Sequence, residues 1–336
     1  MPRANLPFED RIAAAWPPAD WSDVGVVVAV SSGADSVALA RCLAHLQGRA
    51  GGSSQLILAH FNHALRAAAD EDERFVGELA RKLGLRFEVG RADVRRLAKD
   101  DGDGLEAAAR SARYDFLRRV AEAAGARHVV TAHTADDQAE TILFRALRGT
   151  SLDGLSGMRR ARRLGEVVSL LRPMLDLRRR EVTEYLAALG QSHRHDESND
   201  DLRFARNRAR RLLPLAADLL AADPVDSLTR LGKLAADTLT IVHASARPVA
   251  ERAIRAQGAD EVTLDCHALA AVGRALARQA LVLVWADRDW PRQAMTFEHW
   301  DALAEMATTT DGAAARTLPG NISATRRGEL LTLSHS

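Results

Sequence analysis

The sequence predicts an α/β protein: a doubly wound, mainly parallel five-stranded sheet over residues 1–214, followed by a mostly helical C-terminal domain over 215–336 that ends in short strands. Three observations carry this. Residues 24–30, VGVVVAV, form a continuous β-branched run without polar alternation, the pattern of a strand buried on both faces. Strand-like and helix-like segments then alternate over about 190 residues, which calls for βαβ units and a parallel sheet. After Pro214 the alternation stops, and long Ala/Leu-rich helical sequence takes over.

The first strand runs into the small-residue loop Ser31-Ser32-Gly33-Ala34-Asp35-Ser36 and then a helical pattern over 35–47, ended by a Gly/Ser stretch at 48–54. LILAHF at 56–61 reads as the second strand. Residues 69–84 read as an amphipathic helix with Phe75, Val76, Leu79 and Leu83 at helical spacing. RFEV at 86–89 is the third strand, 105–125 a helix, HVVTAH at 128–133 the fourth strand and 135–148 a helix. VVSLLRPM at 167–174 supplies the fifth strand, and 178–189 another helix. Right-handed crossovers put helices on both faces, and ligands of such sheets sit at the carboxyl ends of strands. The segments 31–36, 60–66 and 133–140 all fall at such ends. Farther on, helices are expected over 215–256, 267–286 and 297–307. Two or three short strands should close the chain, with turns at Pro319-Gly320 and near Gly328.

Composition narrows the function. With 47% hydrophobic residues the chain has material for real cores. No apolar run approaches the roughly 20 residues of a membrane helix, and the N-terminus lacks a leader-like apolar stretch, so the cytoplasm is the expected address and no membrane partner is expected. Cys42 and Cys266 stand far apart, outside any CxxC or Cys/His cluster, which disfavours a disulfide framework, zinc and iron–sulfur. Net charge is only +1, yet residues 156–215 hold 14 Arg against 8 Asp plus Glu, and guanidinium suits bidentate phosphate contact. Aromatics at 4% argue against extensive base stacking.

A small-residue loop between a buried strand and a helix is a phosphate cradle, because its amides and the helix N-terminus point at the anion. Gly33 is expected to permit close approach and unusual dihedrals, and Ser31, Ser32 and Ser36 add hydroxyls. The Walker Gly-Lys-Ser/Thr ending and the GxGxxG fingerprint are both absent. VAVSSGADSVAL resembles the SGGxDS signature of the PP-loop ATP pyrophosphatases, which cleave ATP between its α and β phosphates and adenylate their substrate. Ser32 stands where that pattern has a second Gly. Its hydroxymethyl group is expected to crowd a phosphate oxygen or to hydrogen-bond to it.

Further segments resemble the bacterial tRNA(Ile)-lysidine synthases: HFNHALR at 60–66, EAAARSARYDFL at 106–117, TAHTADDQAETILFRALRG at 131–149, LRPML at 171–175 and DESNDDLRFARNRARRLLP at 196–214, all in family order. The resemblance covers roughly residues 24–214 and, more loosely, LPGNISATRRGELLTL near the C-terminus. It implies ATP and Mg2+ as cofactors, and L-lysine and the isoleucine tRNA with a CAU anticodon as substrates. Lysine would be joined to C2 of the wobble cytidine through an adenylated intermediate. It implies ATP binding by Ser31, Ser32, Gly33, Ala34, Asp35, Ser36, His60 and Arg113, with Asp35 near the metal. It puts catalytic weight on Asp35, His133 and Asp137, and tRNA contact on Arg66, Arg148, Arg206, Asn207 and Arg210. Thr134 replaces the family's usual second His. The helical residues 215–310 are expected to select tRNA by shape, and the oligomeric state stays open, a homodimer included. A thiolase of the same superfamily would need reactive cysteines, and an amidating synthetase would leave 196–214 unexplained. A non-catalytic RNA-binding relative is the third alternative.

Overall fold

The computed structural model describes residues 6–52, 54–63, 69–92, 104–194, 205–309 and 314–335, with backbone alone at 105, 106, 205–208 and 220. The chain divides into two compact units, Met1–Arg148 with Gly157–Leu231, and Gly149–Ser156 with Gly232–Ser336.

In chain order, the first unit contains α1 (Pro7–Ala15), β1 (Val26–Ala29), α2 (Ala34–Ala50), β2 (Leu56–Asn62), α3 (Ala69–Leu83), β3 (Arg86–Arg91), α4 (Leu105–Ala123), β4 (His128–Val130) and α5 (Ala135–Leu147). The short α6 (Leu152–Leu155) belongs to the second unit. The first unit resumes with β5 (Ala161–Arg163), β6 (Ser169–Leu171), α7 (Arg179–Ala188), α8 (Ala205–Leu220) and the start of α9 (Pro224–Ala253). Its sheet has the order β3-β2-β1-β4-β6-β5, parallel except for β5, which runs antiparallel on β6.

Strand β1 is central and its side chains alternate between two cores, as burial on both faces requires. Val26 and Val28 join Leu56, Leu58 and Val130 under α1, α2, α3 and α7. Val27 joins Ile57, Val129 and Leu170 against Phe116 and Leu117 of α4. Cys42 is fully buried in the first of these cores, the place expected of a small apolar side chain. Helix α2 ends where Gly51 turns left-handed (φ 67°), a conformation that costs glycine no Cβ clash. The chain winds outward from β1 to β3 and then returns to β4 on the other side of β1. The loops leaving β1 and β4 therefore diverge and open a crevice at their carboxyl ends.

The sheet has six strands where five were expected, because β5 is a three-residue exposed edge segment, Ala-Arg-Arg, with no apolar signal. Strands β4 and β6 are shorter than the segments that announced them. Helix α8 runs through Pro214.

The second unit contains, after the end of α9, β7 (Ile254–Gln257), β8 (Glu261–Asp265), α10 (Cys266–Ala270), α11 (Arg274–Ala286), α12 (Phe297–Thr308), β9 (Ala314–Leu318), β10 (Ile322–Arg327) and β11 (Leu330–His335). The strands form an antiparallel sheet in the order β7-β8-β11-β10-β9 around a core holding Leu264, Leu281, Trp285, Ile322 and Leu333. Two or three short strands were anticipated at the C-terminus, and β9, β10 and β11 are there; β7 and β8 were not anticipated. The helix expected over 215–256 breaks between Leu220 and Pro224, with Ala221 left-handed (φ 46°), and the one over 267–286 breaks at Gly273 (φ 78°). The anticipated C-terminal turns are present at Gly320, Asn321 and Gly328, all at positive φ.

Packing between β3 and α4 leaves no room for a side chain at Gly90, where an added Cβ would lie 2.5 Å from the Phe116 ring. Gly90→Ala should cost about 1–3 kcal/mol through overpacking, read as a lower urea midpoint. Adding Phe116→Leu should recover part of that loss. Equal midpoints for Gly90→Ala and the wild type would contradict this packing.

Candidate active site

The crevice between the ends of β1, β2 and β4 is a cleft of about 630 Å³. The loop 31–36 forms its floor. Helix α2 starts at Ala34 behind an N-cap glycine, Gly33, that offers no side chain, so the amides of its first turn lack partners from the helix itself or from a cap. Helix dipole and unsatisfied N–H groups together favour an anion at that point. Ser36 folds back: its Oγ accepts from Ser31 N at 3.0 Å and lies 2.8 Å from Ser31 O, which tightens the loop. Gly33 has φ −74°, which any residue can adopt, so its value lies in close approach rather than in unusual dihedrals. Ser32 lines the cleft, with its hydroxyl engaged by a second lining residue. That group donates to Asp72 Oδ1 at 2.7 Å, which replaces the expectation of a phosphate contact or clash.

Four acidic side chains meet near the loop. Asp137 sits in the first turn of α5, where its Oδ2 accepts from Thr134 N (2.8 Å) and Thr134 Oγ1 (3.1 Å) in a capping box. Its Oδ1 accepts from Arg179 Nη2 at 3.1 Å. Asp136 leaves the capping of its own helix to Thr134 and instead accepts from the Arg179 amide (2.8 Å), capping α7. Glu140, buried, accepts from Arg210 Nε (2.9 Å) and lies 3.5 Å from Arg179 Nη1. Asp35 is 3.7 Å from Arg179 Nε, and its Oδ1 is buried without a hydrogen-bond partner. Burial, and next the charge of Asp137, push the Asp35 carboxyl up to about 6, against the pull of Arg179 and Arg210.

Arg179 is the cation at the centre of this cluster, and the sequence reading passed over it among Arg178, Arg179 and Arg180. Its position in the first turn of α7 is what aims it inward. Arg178 pairs with Asp223 (2.7 Å) and Asp226 (2.8 Å) and meets the cluster only at Asp136, 3.5 Å from its Nε. The cleft also takes in Asp72, His193 and Arg194, which sequence reasoning likewise missed.

Of the residues singled out in advance, Ser31–Ser36, His60, Arg113, His133, Asp137 and Arg210 line the cleft. His60 is buried, and its Nδ1–H donates to Val30 O at 2.9 Å, leaving Nε2 as an acceptor; burial holds its pKa below the ordinary value. His133 Nδ1 lies 2.9 Å from Thr131 Oγ1. Arg148, the C-cap of α5, is exposed outside the cleft lining, with its guanidinium over Phe144. Arg66 lies outside the described residues, as do the side chains of Arg206 and Asn207. Beside the cleft, Arg110, Arg113 and Arg162 surround the buried Tyr114 ring at 4.8–5.2 Å. Burial raises the phenol's pKa, but Arg113, Arg110 and Arg172 outweigh it and bring it down to about 8.

Among the described residues no three acidic, His or Cys side chains converge as a ready-made metal cage. The set does suit Mg2+, which binds through one or two carboxylates plus substrate phosphates, and Asp35 offers an unpartnered carboxylate oxygen beside the cradle. Cys42 and Cys266 are both buried. No helix among the described residues is long and apolar enough to cross a membrane.

Residues 6–216 match the family described as the PP-loop domain. Curated relatives include the tRNA(Ile)-lysidine synthases of Geobacter sulfurreducens (39% identical, 90% of this chain and 63% of that protein), Methylobacterium sp. (40%; 76% and 72%) and Bradyrhizobium sp. (34%; 94% and 89%). The chain spans 63% and 33% of the lengths of the Geobacter and Thermus thermophilus relatives. A U34-tRNA thiolase from Methanococcus maripaludis shares the fold at TM-score 0.57 and 14% identity, over 68% of this chain and 78% of that one. The chain belongs to the PP-loop family and, within it, to the family of the tRNA(Ile)-lysidine synthases.

A carboxyl held at about 6 rather than 3.8 binds its proton more tightly in the native state than in the unfolded chain. Its ionisation therefore costs nothing at low pH and costs native stability increasingly as pH rises from 3.8 to 6, in full above that. Asp35→Asn should accordingly be more stable than the wild type by up to about 3 kcal/mol near pH 8, and equal to it near pH 4. Urea midpoints at the two pH values test this; a constant difference would refute it.

Proposed function

We propose that this chain is a tRNA(Ile)-lysidine synthase: an ATP-dependent ligase that joins L-lysine to C2 of the wobble cytidine of the CAU-anticodon isoleucine tRNA and changes its reading from AUG to AUA. The observation that carries the proposal is the uncapped start of α2 beside the unpartnered Asp35 oxygen, in a chain with identity to these synthases over most of its length. The cytidine O2 attacks the α phosphorus of ATP and pyrophosphate leaves. The lysine ε-amine then attacks C2, the C2–O2 bond breaks, AMP departs with that oxygen, and the amine gives up a proton.

The geometry supports the following division of roles. Amides of the 31–36 loop bind the departing pyrophosphate, as donors already fixed where negative charge collects. Mg2+, held by Asp35 and phosphate oxygens, would supply charge neutralisation there. Asp137 has both carboxylate oxygens engaged, by Thr134 and Arg179, so it serves the proposal as an orienting charge. His133 is then the better acceptor for the amine proton. Neutral His60 borders the nucleotide, while Arg113 and Arg210 offer guanidinium to AMP or RNA phosphate. Arg110 and Arg162, exposed beside them, extend the basic surface for RNA backbone, which positions tRNA without reading its sequence. Arg66, Arg148, Arg206 and Asn207 remain proposed tRNA contacts, residues 215–336 the proposed tRNA-recognition domain, and the cytoplasm the proposed location.

The direct test is ATP-dependent incorporation of radiolabelled lysine into the CAU-anticodon isoleucine tRNA, beside methionine tRNA. Incorporation into the first alone is expected, lost in Asp35→Ala. Arg179→Met should lower kcat/KM by about 100-fold or more, because it strips the cation from a cluster of carboxylates beside a polyphosphate. Pyrophosphate release without lysine transfer would sink the lysine assignment.

A further inference from the structure

We propose that Ser32, Asp72 and Arg194 form a latch that sets the position of the nucleotide loop, with Ser32 as a positioning residue for the phosphate chain. This rests on the ATP reading above. Ser32 is 1% exposed, at the turn where the chain leaves β1. Its hydroxyl donates to Asp72 Oδ1 at 2.7 Å, within the range of a charge-assisted bond. The same carboxylate oxygen lies 3.1 Å from Arg194 Nε. The Arg194 amide donates to the Ser32 carbonyl at 2.8 Å, which closes a ring of contacts. Arg194 is tied down further by Glu71, whose Oε2 accepts from its Nη2 at 2.6 Å.

Three segments distant in sequence meet in this ring: the loop, the first turn of α3, and the stretch after α7. Ser32 is gripped by both its carbonyl and its side chain. Its backbone therefore has one orientation, and the loop amides beyond it inherit that orientation. Glycine at this position would lose the hydroxyl contact and gain backbone freedom. Asp72 lines the cleft, where a bare carboxylate would repel a polyphosphate. Arg194 balances that charge, so Asp72 can hold the loop with little electrostatic opposition to the ligand. In this chain a latch takes the place of a second loop glycine.

The test is a double-mutant cycle on the full chain, with the ATP dissociation constant measured by calorimetry and kcat measured at saturating ATP and lysine. Ser32→Ala and Asp72→Ala should each weaken ATP binding by about tenfold or more, as loss of a buried charge-assisted hydrogen bond does. Their kcat should fall as well, but by no more than the ATP affinity, since the loop amides that seat the nucleotide also bind the departing pyrophosphate. The double variant should bind ATP no worse than the weaker single one, because both break the same contact. Additive losses, unchanged ATP affinity, or a kcat loss without an affinity loss would each overturn the latch. Thermal melting of every variant separates this from misfolding, which would lower midpoint and kcat together. A wild-type chain that fails to bind ATP would overturn the nucleotide reading itself, whereas a wild type that binds while the variants match it overturns only the latch.

Discussion

The burial of β1 on both faces governs the site. Val26, Val27 and Val28 leave no polar side chain in the centre of the sheet, so the strand contributes only packing there. Where it ends, the chain must turn into α2, and the first amides of that helix have no backbone partners. The neighbouring strand β4 ends at the same level but its connection leaves on the other side, so nothing fills the space between. A crevice with unsatisfied donors at its floor is the result of strand order and helix geometry together, before any side chain is considered.

The side chains that fill the rim are coupled. Thr134 caps α5 through Asp137, which releases Asp136 to cap α7 by accepting from the Arg179 amide. That contact fixes the start of α7, and the start of α7 is what carries the Arg179 guanidinium among Asp35, Asp137 and Glu140. Asp35 nonetheless keeps one oxygen without a partner and a carboxyl that resists ionisation. Under the proposed function a metal cation with phosphate oxygens would relieve the cost of this arrangement to native stability.

How much of this was legible varied with distance along the chain. The run 24–30, the loop after it and the helix following are local, so strand, cradle and Asp35 could be read directly. His133 and Asp137 could be singled out too, because they follow the fourth strand within a few residues of each other, and both line the cleft. Arg179 was not: it is one of three consecutive arginines, and only its place in the first turn of α7 separates it from Arg178, which faces Asp223. Strands β5 and β7 were missed for want of apolar alternation, since β5 is wholly exposed and β7 nearly so. Strand β8 does alternate, Val262 and Leu264 inward, but it is short and sits in an Ala-rich helical neighbourhood that outweighed it.

The two departures from the family pattern, Ser32 and Thr134, have the same physical character. Each is a hydroxyl-bearing residue just past the carboxyl end of an adjacent strand, β1 or β4, and each is fully or almost fully buried. Each places its hydroxyl on a carboxylate, Asp72 at 2.7 Å and Asp137 at 3.1 Å. A buried carboxylate is costly unless it is hydrogen-bonded and paired, and in both cases an arginine joins the hydroxyl: Arg194 on the same oxygen of Asp72, Arg179 on the other oxygen of Asp137. The substitutions exchange backbone freedom at one position and an imidazole at the other for fixed hydrogen bonds that orient charge around the crevice.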